Sequence, residues 1–147
     1  MIAEKKPKLE DYFAGAALAN SLVWLTLGIT TLSEMNLKDL AILGPLLYAA
    51  GATISGYLVS RKATKNQLKV GLITGLGAFI FHVYVFVGLF ELLMGTRVLS
   101  LVDHLLIFAV LMAGAVLGSF LCIMFSSTNK TDKKQQLTDK ATTRLSP

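Results

Sequence analysis

Four apolar runs, almost free of charge, divide this sequence, and each is long enough to cross a lipid bilayer as a helix. They cover residues 12–33, 40–60, 70–93 and about 105–127, with Glu91 near the end of the third. About 20 mostly apolar residues suffice to span roughly 30 Å of hydrocarbon in helical form. A lipid-facing barrel strand alternates apolar and polar residues over about 10 positions, and none of the runs does so. The runs predict an all-α, polytopic membrane protein with four transmembrane helices, flanked by residues 1–11 and a polar tail over residues 128–147. Composition agrees, because 54% of the residues are apolar and the mean hydropathy is +0.63, more than a soluble core of this size needs.

The net charge of +5 would suit a nucleic-acid partner if the basic residues were scattered, but they are sorted. Lys5, Lys6 and Lys8 precede the first run, and Arg61, Lys62, Lys65 and Lys69 separate the second from the third. Lys130, Lys133, Lys134, Lys140 and Arg144 follow the fourth, which leaves only Lys38 and Arg97 for the two remaining connections. Basic residues beside spans stay cytoplasmic. Both termini and the central loop are thus expected inside, Lys5 to Lys8 read as a topology anchor rather than the start of a cleaved signal peptide, and the cell membrane is the expected location. A signal peptide would place its small-residue site after the apolar stretch, whereas Ala17-Leu18-Ala19 comes before most of it.

The single cysteine, Cys122, allows no intramolecular disulfide and no electron relay between cysteine pairs. The tail after Ser127 has no apolar period and is expected to be disordered or at most weakly helical. Its lysines suit a solvated anchor attracted to anionic lipid.

The two halves resemble each other. The stretch from Gly15 to Gly28 aligns with Gly75 to Gly88 at an offset of 60 residues and pairs Trp24 with Tyr84. Residues 50–58 align with residues 113–121 at an offset of 63. Two tandem hairpins with the same orientation follow, related by an axis along the membrane normal.

Helices in lipid associate through close backbone approach, and small residues mark the meeting faces. Gly15 and Ala19 share a face of the first run, Gly51 and Ser55 of the second, Gly71, Gly75 and Ala78 of the third, and Gly114 and Gly118 of the fourth. Gly28, Gly77 and Gly88 lie off these faces and leave surface for a partner. Gly44-Pro45 predicts a bent long second helix or an outer half-turn before it.

Polar residues at membrane depth are costly and mark candidate sites. Two stand out, Asn20 and His82, the latter returned by its spacing to the face of Gly71. Shared ligation of one haem iron by His82 and His104 is not expected, since linear spans put them on the order of 15 Å apart in depth. Glu34, Asp39, Glu91, Asp103 and His104 gather at the outer face without metal-ligand spacing, and Asp103 reads more plainly as a helix cap. No metal or cofactor is expected. Without a Gly-x-Ser-x-Gly elbow, a His-Glu-x-x-His helix or a phosphate loop, an enzyme is not expected either. The sequence points to a structural or accessory subunit that packs in the bilayer with copies of itself or with other membrane proteins. The alternative is a small dimeric transporter or channel with a polar site near Asn20 and His82.

Overall fold

A computed structural model describes the backbone of residues 5–33, 37–95 and 99–144. Among these residues the protein is all helical, with four rods in the order α1 (Leu9–Ser33), α2 (Leu37–Ser60), a composite third rod, and α5 (Leu101–Arg144). The third rod consists of α3 (Gln67–Phe81), a π-helical turn (His82–Val87) and α4 (Gly88–Met94). Three stretches are long and apolar enough to cross a membrane, namely Leu43–Ser60, Gln67–Val85 and Leu101–Ser126.

The distribution of side chains is the reverse of a soluble protein's. Leu25, Leu46, Leu72, Ile80, Leu105 and Phe120 face outward. Asn20, Ser55, Thr74, His82 and Ser119 are fully buried among the helices. In water such an apolar exterior would be strongly unfavourable, and in hydrocarbon it costs nothing.

Local chemistry sets the helix ends. The central loop stops at Asn66, whose φ of 57° opens α3 from the left-handed region. Gly95 closes α4 at φ 67° and donates its N–H to the Glu91 carbonyl at 2.9 Å, an arrangement that a residue without Cβ adopts readily. α5 begins earlier than expected. Ser100 caps it, and Asp103 Oδ2 accepts from the Ser100 backbone N–H at 2.9 Å and from its hydroxyl at 2.7 Å. Asp103 is therefore the third residue of a capping box rather than the cap itself. Beyond Ser127 the helix continues to Arg144, because no Gly or Pro interrupts the backbone ladder in that stretch. Pro45 lies within α2, so the longer of the two expected forms is the one adopted.

At the opposite end of the bundle the amino-terminal segment is strapped to the central loop. Thr64 donates its N–H to the Lys5 carbonyl at 3.1 Å, and the Lys5 N–H donates to Thr64 Oγ1 at 3.1 Å. Asp11 accepts from the Lys62 ammonium and, through Oδ2, from the Lys8 N–H at 2.8 Å. The Lys62 hydrogen bond, followed by the Lys8 N–H, holds the Asp11 carboxyl below its ordinary value of 3.8. Because the folded value is the lower one, this contribution is present above pH 3.8 and disappears as pH falls through the depressed value. Asp11→Asn is expected to lower the amide-exchange protection of Thr64 at neutral pH, and in the wild type that protection should fall only under acid. Equal protection in both chains at neutral pH would contradict the strap.

Candidate functional site

Two of the buried polar residues, Asn20 and His82, meet the third rod at its π-helical turn. A π turn inserts one extra residue into the helical ladder. The Ala78 carbonyl at its edge accepts from the His82 backbone N–H and also from a side chain of α1, Asn20. Its Nδ2 donates to Ala78 O at 3.1 Å, across the helix interface, and to Ala16 O at 2.8 Å on its own helix. Asn20 Oδ1 is buried and has no hydrogen-bond partner among the described residues.

His82 opens the turn and is fully buried. Its Nδ1 lies 3.0 Å from the hydroxyl of Tyr48 on α2, with the two rings edge to face at 5.2 Å. On the other side the ring of His104 stands 6.4 Å away, centroid to centroid. His104 Nδ1 is 2.8 Å from the Ser100 carbonyl, which can only accept, so this nitrogen carries the proton.

The depth expected between the two histidines is therefore wrong. α3 and α5 pack so that Gly71 faces Ser119, the Phe79 and Phe108 rings meet at 5.0 Å, and His82 meets His104. α5 starts beside the π turn, while α4 runs on past that level before the chain returns. Counting residues along straight rods missed the recessed start of α5. No third His, Cys, Asp or Glu joins the pair among the described residues. Of the outer carboxylates, Glu34 lies outside the described residues.

One layer further along the bundle, hydroxyls bridge the helices. Ser55 Oγ donates to Gly15 O at 2.7 Å, joining α2 to α1. Ser60 and Ser119 share a hydrogen bond of 2.7 Å between α2 and α5, and Ser119 Oγ also reaches Ala115 O at 3.0 Å. The small residues occupy the same interfaces. A Cβ on Gly51 would strike the Ala19 backbone, one on Gly118 the Thr53 backbone, and one on Gly114 would come within 2.8 Å of Ala49 O. Gly15 faces Val59 and Ser55, Gly75 faces Met112 and Ala115, and Ala78 is fully buried.

Sequence reasoning missed Tyr48, Ser60, Ser119 and Gly56, whose Cβ would strike Ala115. Gly56 and Ser119 were legible in principle, because they occupy aligned positions of the two halves. Tyr48 carried no signal apart from an aromatic ring in an apolar run. No family profile, curated protein or solved structure matches the chain.

Proposed function

We propose that the chain is a multi-pass membrane protein with four spans and both termini in the cytoplasm, acting as a structural or accessory subunit. The fourth span in this reading is α1, whose 25 residues would cover about 37 Å. Leu18, Leu25 and Ile29 on it face outward. The reading of two like-oriented hairpins is supported by level pairings across the bundle. Asn20 meets Ala78 at a separation of 58 residues, and Ser60 meets Ser119 at 59, close to the offsets of the sequence repeat.

The accessory role rests on one observation. The intramembrane hydroxyls, amide and imidazole reach across to neighbouring helices, and the glycines close onto neighbouring backbones, which makes a rigid packed body. Purification in mild detergent is expected to recover a second membrane subunit in fixed ratio. A chain that elutes alone, as a monomer with full stability, would remove this reading.

A second reading is favoured by the unpartnered Asn20 Oδ1 beside a π turn, since such turns recur at functional sites. It makes the Asn20, Tyr48 and His82 region the polar site of a small transporter or channel. Reconstituted vesicles carrying a pH-sensitive dye would then show proton flux that His82→Leu abolishes. Flux equal to that of protein-free vesicles would rule it out for protons.

A further inference from the structure

Beside the amino-terminal strap, a pocket of about 260 Å³ opens between the start of α1 and the start of α3. Lys6, Lys65 and Lys69 line it together with Tyr12 and Asn66. Directly above, an apolar groove of about 570 Å³ runs between α1 and α3, with Phe13, Leu76, Gly77, Ile80 and Tyr84 among its walls. Tyr12 and Ile73 line both spaces, so the basic pocket passes into the groove. The nearby carboxylate of Asp11 is engaged by Lys62 and lines a separate cleft.

We propose that pocket and groove form one binding site for an anionic phospholipid, with the phosphate at Lys6, Lys65 and Lys69 and one acyl chain along the groove. This inference goes beyond the subunit role and needs only that the bundle sits in a bilayer. Basic pockets between helices on the cytoplasmic side suit phosphate-bearing headgroups. The N-terminal turn of α3, entered through Asn66, adds backbone N–H groups favourable to an anion.

Length identifies the occupant. From Ile73 to Tyr84 the groove climbs about 16 Å at 1.5 Å per residue. That is about one leaflet of a core roughly 30 Å thick. A partner's transmembrane helix would need a groove through both leaflets, whereas an acyl chain needs one. Charge and hydropathy change along the site in the order they change along a phospholipid.

The test is native mass spectrometry of the full chain in mild detergent, titrated separately with phosphatidylglycerol, phosphatidylcholine and soluble glycerol phosphate. One phosphatidylglycerol is expected to bind, at least about tenfold more tightly than phosphatidylcholine. A lysine near the surface is worth roughly a fivefold change, so Lys65→Ala with Lys69→Ala should weaken phosphatidylglycerol about 25-fold. Gly77→Phe places a ring where a Cβ meets nothing within 4 Å. It should keep the fold and weaken the lipid, while Lys133→Ala with Lys134→Ala in the tail should change nothing. The proposal fails if tail and pocket substitutions weaken binding equally, since attraction would then be diffuse. It also fails if glycerol phosphate binds as tightly as the lipid, or if Gly77→Phe folds and binds unchanged.

Discussion

Gly118→Leu is expected to abolish the folded bundle in mild detergent. A Cβ at this position would collide with the Thr53 carbonyl oxygen, and it would stand 2.7 Å from Tyr57 N and 2.9 Å from Thr53 C. These are backbone atoms of α2, which cannot rotate aside as a side chain does. Relief requires α2 and α5 to separate, and that breaks the Ser60–Ser119 hydrogen bond in the same interface. Overpacking of a tight core typically costs about 1–3 kcal/mol, and backbone against backbone belongs above that range. Gly75→Leu and Gly114→Leu should follow in the same direction, because a Cβ on Gly75 would stand 3.0 Å from the flexible Met112 Sδ and 3.1 Å from Met112 Cα, and one on Gly114 2.8 Å from Ala49 O. Leu89→Ile on the exposed face should be almost neutral. Size-exclusion profiles and unfolding temperature would read the series. If Gly118→Leu and Leu89→Ile behave alike, the packing account is wrong.

A smaller but more local effect is expected at Asn20→Leu, with a loss of about 1 kcal/mol. Interhelical hydrogen bonds in membrane proteins average about 0.6 kcal/mol and reach about 1.7. Asn20 Nδ2 makes one such bond to Ala78 O and one within α1, and both are lost. Removal of the unpartnered Oδ1 offsets part of that loss, because a buried acceptor without a donor is itself unfavourable. The distinguishing readout is local. Amide exchange should rise in the π turn His82–Val87, whose first backbone N–H shares the Ala78 carbonyl with Asn20, more than in the amino-terminal half of α2. A uniform rise across all helices would mean that Asn20 stabilises the bundle without supporting the turn.

Much of the architecture was legible because its cause is local. Helices follow from runs of apolar residues that must satisfy their own backbone in lipid, and the small faces follow from the 3.6-residue period. His82 was placed on the glycine face by spacing alone, and it lies buried there against Tyr48. The features that escaped depend on register between helices. Val83, Val85 and Val87 within the third run give no sign of the π turn over His82–Val87. The recessed start of α5 rests on the Ser100–Asp103 box, and that box brings His104 to His82. The Lys6, Lys65 and Lys69 pocket joins residues about 60 positions apart through the strap, so sequence alone gave only the expectation that they share a side of the membrane.

The number of crossings carries the account. Among the described residues three stretches meet the length and hydropathy of a span unaided, and α1 decides between three and four. The most direct measurement is labelling of single cysteines by a membrane-impermeant reagent, in a Cys122→Ser background. Cysteines placed at Lys6, Lys65 and Lys133 should all react only from the cytoplasmic side, and one at Met35 only from outside. Labelling of Lys6 and Lys133 positions from opposite sides would leave α1 out of the membrane and contradict the four-span bundle.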